Sequence, residues 1–427
     1  MGSELALTGG KAPPARRAPS VLHRAEADVL TPGGHRLSAS AARKLSEAVP
    51  QNSRNARATR WRTFELWAET YGWSTDEPGA VASHLAELGD RGHRSTVLES
   101  HYGTLRAMRA VAGRPLDAAE IKLCQTMIRH RAGEEADDPQ VEPGPLQADP
   151  VDLDELRLMV RTLDRTTARG KRDAAVMIIS WWMAARGSEP ARLNIHDVKI
   201  TTVKLEDESG REVAHPALII KIRRSKADQA ARGHEVRILA PGDQELCPIH
   251  ALREWLDVLA DDDQLVPGPL LRRIDKHGNI GARAAGRQPK DPARRGGISA
   301  ETINDIIGAA ARAAKLVPTP TSEEAAAAAG AKQAAYAAAA AAATAEEGNL
   351  IVKAWRTAKR AARAAVRRIT AHSFRRGCIQ AMLAAGNPPD VVALHSRHSQ
   401  RSTAFDEYRQ KKVPWKQNPT LVLGLAA

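Results

Sequence analysis

The sequence predicts a mainly α chain with a small β-sheet, an α+β architecture. Three observations predict it. Apolar residues recur at three- and four-residue steps through several separate stretches, the pattern of amphipathic helices. One pair of neighbouring runs, 213–224 and 234–240, instead alternates branched apolar with polar residues, as half-buried strands do. A segment near residue 140 holds acids and prolines but no Lys or Arg, and it divides the chain. With 427 residues, 43% of them hydrophobic, two or three domains are expected.

Residues 1–40 are rich in Pro, Gly, Ala and Arg without a sustained apolar period, and read as a flexible tail. Residues 41–133 read as a helical domain. Trp61, Phe64, Ala68 and Tyr71 share a helix face, and Gly72 offers a stop. Val81, Leu85 and Leu88 mark a second helix. Ser95 is placed to cap a third, carrying Leu98, Tyr102, Leu105 and Met108 and ending near Gly113. Asp117 is placed to cap a fourth, with Ile121, Cys124 and Ile128 inward. The aromatics belong to the core of this bundle. Arg54, Arg57 and Arg60 lie on a face away from it.

Residues 134–151 read as an acidic, Pro-rich linker, and 152–427 as a second domain. Asp152 and Glu155 have the spacing of a capping box, which starts the next helix. Helices are expected at 152–164 and 171–185, and again from Ser188, with Pro190 in its first turn. The two strands follow, joined by a polar loop that holds Lys226. Further helices begin at Cys247 and span 299–315. From about 318 to 350 an alanine-dominated stretch looks like an insertion, helical rather than membrane-spanning because alanine is only marginally apolar. Beyond it Lys353, Arg356, Lys359, Arg360, Arg363 and Arg367 form a cationic stripe at helical spacing, leading towards His372.

Composition narrows the function. A formal net charge of +13 suits a polyanionic partner. The three cysteines, Cys124, Cys247 and Cys378, are far apart, so neither a disulfide framework nor a zinc site is indicated. No signal-peptide core or long, strongly apolar run is present, and a cytoplasmic protein without a membrane partner is expected.

The chemistry concentrates near the C-terminus. His372-Ser373-Phe374-Arg375 is followed by His395-Ser396-Arg397-His398 and then Tyr408. Guanidinium and imidazole donors suit the charge that develops on a phosphodiester in its transition state. A phenol can attack the phosphorus and form a covalent intermediate. Of the four tyrosines, Tyr71, Tyr102, Tyr336 and Tyr408, only Tyr408 follows the His-x-x-Arg element.

With Arg186 at the end of an apolar helix, Glu189 three positions later and Lys226 on a hairpin, these residues resemble the tyrosine recombinases. That is the phage-integrase family of DNA strand-exchange enzymes. The resemblance runs from about Asp152 to the C-terminus. It implies an N-terminal helical core-DNA-binding bundle and a tyrosine-recombinase catalytic domain. Arg186 and Arg375 would clamp the phosphate, with His372 and His398 assisting. Lys226 would act as general acid, Tyr408 as nucleophile, and Glu189 in support. Lys221 is the nearest alternative to Lys226. Two departures stand out: His398 and Tyr408 are ten positions apart, and Arg397 stands where a glycine usually precedes the histidine. His395 therefore competes for the role of His398.

The resemblance further implies double-stranded DNA with specific attachment sites, four protomers acting through a Holliday junction, an accessory directionality factor and a nucleoid-associated location. No metal or cofactor is needed, because the phosphotyrosyl bond conserves the energy of the phosphodiester. Arg54, Arg57, Arg60, Arg356, Arg360 and Arg363 would contact the DNA backbone. A type IB topoisomerase and an inactive DNA-binding protein on the same scaffold are the rival readings.

Overall fold

Local capping signals set the helix starts. In the computed structural model, which describes residues 29–30, 36–48, 51–138, 148–207, 209–223, 233–286, 288–289, 291–398 and 405, the chain is mainly helical with a small antiparallel sheet. The α+β expectation is borne out. The described residues divide into two units, Met1–Pro143 with Ala326–Ala361, and Gly144–Ala325 with Ala362–Ala427. No helix among them is long and apolar enough to cross a membrane.

The first unit opens with a short antiparallel ladder, β1 (Val29–Leu30) and β2 (Arg36–Leu37), followed by α1 (Ala39–Ala48). Four helices then follow at the places expected: α2 (Gln51–Tyr71), α3 (Ala80–Asp90), α4 (Ser95–Val111) and α5 (Ala118–Asp137). Phe64, Leu85, Leu98, Leu105 and Cys124 fill their core. Each fully buried side chain of this kind stabilises by about 1.5–3 kcal/mol. Asp117 caps α5 through the Glu120 amide, as expected.

The start of α4 is built differently. Arg94 is the cap residue, and the Ser95 amide donates instead to the distant Glu135 carboxylate at 2.6 Å. Glu135 is buried and also pairs with Arg94 and Arg131. This keeps α5 helical to Asp137, so Glu134 and Glu135 belong to the helix and not to a linker. Composition could not show this, because one cation that neutralises Glu135, Arg94, and the Ser95 amide that donates to it lie at the start of another helix.

The alanine-rich stretch forms α10 (Ser322–Ala340) and the start of α11 (Ala345–Ala364), and most of this pair groups with the first unit. A Cβ on Gly348 would lie 2.8 Å from the Ala339 carbonyl oxygen, so glycine permits the close approach. Arg91 donates to Asn349 at 2.9 Å, and Arg356 donates to the Arg91 carbonyl at 3.0 Å and the Tyr336 hydroxyl at 2.8 Å. The stripe does not lead straight into His372, because α11 ends at Ala364 and a new helix is capped by Thr370.

In the second unit, Asp152 and Glu155 form the expected capping box on α6 (Leu153–Arg161). Buried residues surround α7 (Ala168–Trp182), whose Trp181 indole donates to the Val151 carbonyl at 2.8 Å. The helix expected from Ser188 is one 3-10 turn, Pro190–Arg192. It stops because Leu193 is extended and its carbonyl accepts from Leu270. The sheet has three strands in sequence order: β3 (Val198–Glu206), β4 (Glu212–Ile222) and β5 (His234–Leu239). β3 adds to the two expected strands; its Lys and Thr residues and largely exposed far end dilute the apolar signal.

Helices α8 (Pro248–Asp261) and α9 (Ala300–Ala313) precede α12 (Ala371–Ala384) and α13 (Pro389–Ser396). A Cβ on Gly377 would lie 1.7 Å from the Val151 carbonyl oxygen, so only glycine lets α12 approach this closely. Ahead of α12, Arg367 donates to Glu155 at 2.7 Å and to Pro150 at 2.8 Å. The last cation of the stripe is thus neutralised by the α6 capping box.

The helical bundle carries a pH sensitivity. His84, packed on Phe64 and Trp67, is pushed down to about 3 by burial, then by His101, Arg91 and His93. Burial and Arg60 likewise push His101 down to about 4. Unfolding exposes both rings, which then bind protons near their ordinary value of 6.5. The unfolded state therefore holds more protons below that pH, and stability falls as pH falls. Melting temperature should decline from about pH 6.5 to pH 4. The decline should be shallower in His84→Leu.

Candidate active site

The site is built where α7 ends. Ala184 takes a left-handed conformation, φ 44°, which turns its carbonyl inward and starts the turn that carries Arg186. Such a conformation costs a non-glycine residue about 1–2 kcal/mol. Glu189, buried in the same turn, accepts from the Arg186 amide at 2.8 Å and its guanidinium at 3.1 Å. Burial raises the Glu189 pKa, but Arg397, the Arg186 amide, Arg186 and Arg375 outweigh it, so the net shift is downward. The carboxylate stays charged.

Arg375 enters from α12 and is 1% exposed. It donates to the Ala184 carbonyl at 2.6 Å, the Ser396 carbonyl at 2.6 Å and the His398 ring nitrogen Nε2 at 2.9 Å. With Nε2 accepting, the ring proton sits on Nδ1, 2.8 Å from the Ser396 hydroxyl. Burial, then Arg375, Arg186, Arg397 and His372, push His398 down to about 3, so it is a neutral imidazole at physiological pH. Its competitor, His395, instead points Nε2 at the Trp182 carbonyl, 2.9 Å away. Of the two histidines, His398 is the one in contact with Arg375.

His372 lies in the first turn of α12 with its side chain towards the surface. Partial desolvation, then Arg375, Arg376 and Arg186, lower its pKa. Lys226 and Tyr408 lie outside the described residues. Lys221 is on β4, exposed and opposite Glu235. Among the cations expected on DNA, Arg57 and Arg363 are exposed, while Arg54 and Arg360 are partly buried. Arg60 is tied to Thr104 and Arg356 to Arg91 and Tyr336.

Sequence reasoning missed Arg397. It caps α13 with φ 61°, and its side chain is 1% exposed. The guanidinium donates to Glu189 at 2.6 Å, Met183 at 2.8 Å and Ala184 at 3.1 Å, while its carbonyl accepts from Arg186 at 3.2 Å. The available signal was its place beside His398, where glycine would suit a left-handed turn. Ser396, which orients His398, was also missed. Arg186, Arg375 and Arg397 against Glu189 leave a concentration of positive charge suited to an anion such as a phosphodiester.

The burial of Arg375 predicts a stability effect. Arg375→Ala removes the donor of the buried Ser396 carbonyl and one donor of Ala184. It should cost about 2 kcal/mol or more. Arg186→Ala, whose side chain is 21% exposed, should cost less. Urea unfolding of the two variants, with unchanged slope, checks the order.

No family model matches the chain. An integrase/recombinase xerD homolog of Selenomonas ruminantium is 25% identical over 255 residues, 56% of this chain and 65% of the relative. The chain thus spans just under two thirds of that relative's length. Among solved structures, the Tn1549 transposon integrase in complex with transposon right end DNA is 11% identical with a TM-score of 0.47. That similarity covers 90% of this chain and 98% of the integrase. A lambda integrase dimer bound to a core site is 10% identical with a TM-score of 0.39, covering 87% and 76% of the two chains. XerA recombinase is 12% identical with a TM-score of 0.32, covering 90% and 96%. In motif pattern and in sequence the chain is similar to the tyrosine recombinases, the phage-integrase family.

Proposed function

We propose that the protein is a site-specific DNA recombinase or integrase that cleaves and rejoins DNA through a 3′-phosphotyrosyl intermediate. The observation that carries this reading is the convergence of Arg186, Arg375 and His398 at the turn after α7, in a chain whose last tyrosine follows His398 by ten positions. Arg186 and Arg375 hold the two non-bridging oxygens. Their donors are already fixed by Glu189, Ala184 and Ser396, so little reorganisation is needed as charge develops. Tyr408 attacks phosphorus and the 5′-oxygen leaves. Lys226 gives that oxygen its proton, a task for an amine on a loop.

The neutral His398 has a particular part in this scheme. A bound phosphate offsets the arginines around this ring and raises its basicity, so that it helps to move the tyrosine proton. His372, nearer the surface, donates to the phosphate. The helical first unit contacts the backbone around the site, with Arg57 among its exposed cations, and four protomers join two duplexes in a Holliday junction. An accessory factor sets direction, and the role is integration or excision of a mobile element.

Mapping the DNA that the purified protein binds and cleaves tests the reading. Recombination between two mapped sites supports a recombinase. Relaxation of supercoils without two-site exchange points to a type IB topoisomerase, and binding without cleavage to an inactive regulator.

Tyr408→Phe should bind DNA almost as the parent does and form no covalent adduct on a nicked suicide substrate. An adduct in that variant would move the nucleophile elsewhere. Lys226→Ala should cleave slowly on ordinary DNA and recover on a 5′-bridging phosphorothiolate, whose sulfur leaves without a proton. Absence of recovery, or recovery of Lys221→Ala instead, reassigns the general acid.

A further inference from the structure

We infer that Arg397 is a positioning residue of the active site, whose charge neutralises Glu189 so that Arg186 remains available to the phosphate. The inference rests on the phosphotyrosyl reading above. It starts from a conflict in the structure. Arg397 adopts φ 61° and ψ 39° at the end of α13, a conformation that favours glycine, and its side chain is almost fully buried. A chain keeps a strained, buried arginine only when the surroundings hold it there.

The surroundings are specific. Glu189 accepts from Arg397 at 2.6 Å through Oε2 and from Arg186 at 3.1 Å through Oε1. One carboxylate is thus shared between two guanidinium groups. Remove Arg397 and the whole negative charge falls to Arg186, which lies closer to solvent, at 21% exposure against 1% for Arg397. The effect on a bound phosphate is electrostatic and partly shielded from water. Arg397 also fixes geometry, because its carbonyl accepts from Arg186 and its Nη2 shares the Ala184 carbonyl with Arg375. Being buried, it does not contact DNA itself.

Single-turnover adduct formation on the mapped nicked substrate tests this. The parent, Arg397→Gly, Arg397→Lys and the double variant Glu189→Gln with Arg397→Gly are compared with the full-length protein. Arg397→Gly also relieves the left-handed strain. It should slow adduct formation roughly tenfold, less than the 10²–10³ of a direct transition-state donor. Its DNA affinity and the slope of log K against log salt should stay near the parent's, since no phosphate contact is lost. The double variant removes the excess negative charge and should recover most of the rate.

Arg397→Gly as fast as the parent overturns the inference, and so does a double variant no faster than Arg397→Gly. A role in folding alone would be relieved by Glu189→Gln as well, since the unpaired buried carboxylate is removed; urea unfolding of each variant separates the two, and adduct rates that follow only the folded fraction overturn the inference. Should Arg397→Gly not fold, Arg397→Lys reads the same question: it keeps the charge and should form the adduct at close to the parent's rate, and a rate roughly tenfold or more below the parent's overturns the inference. A parent that forms no adduct rejects the phosphotyrosyl reading itself, an outcome distinct from these.

Discussion

The Glu189 carboxylate is the interaction on which the site depends. A buried carboxylate without partners would be protonated or would destabilise the fold. Here it accepts from the Arg186 amide, the Arg186 guanidinium and Arg397, which lowers its pKa despite burial. The arrangement fixes the turn after α7 and anchors the end of α13 to it. Glu189 therefore helps to set where Arg186 and Arg397 stand. Its cost is one negative charge placed among these cations. Arg397 offsets that charge.

Backbone strain at this site follows the same logic. Four described non-glycine residues have positive φ, namely Ala184, Asp263, Lys315 and Arg397. Two of them sit here, and the other two end helices elsewhere. Ala184 turns its carbonyl towards Arg375 and Arg397, whereas Arg397 turns its own carbonyl towards Arg186. Each strained residue supplies an acceptor that holds a guanidinium group. Strain and hydrogen bonding are coupled, and neither is explained alone.

Legibility in the sequence followed the range of the interaction that decides each feature. The capping box at Asp152 and Glu155 and the cap at Asp117 depend on residues three apart, and both were legible. So were the hydrophobic faces of α2 to α5. The cap of α4 was not, because Glu135 supplies it from 40 residues away. The extra strand β3 was missed because its weak apolar pattern becomes informative only beside β4. At the site, residue types in order pointed to Arg186, Arg375 and His398. Arg397 looked like a departure from a glycine position, and its pairing with Glu189 spans 208 residues. No local rule reaches that far.

The neutrality of His398 follows from the same crowding of cations. Three guanidinium groups and burial act on one imidazole, and a second proton on it would add repulsion in a low-dielectric pocket. Arg375 meanwhile donates to its Nε2 and Ser396 faces its Nδ1, so both nitrogens are held before any substrate arrives. A protonated ring would lose the Arg375 contact and become a donor at both positions. Packing three arginines this closely thus holds the nearby histidine in its neutral form. The arginine cluster and the neutral ring are consequences of one distribution of charge, and a change in either alters the other.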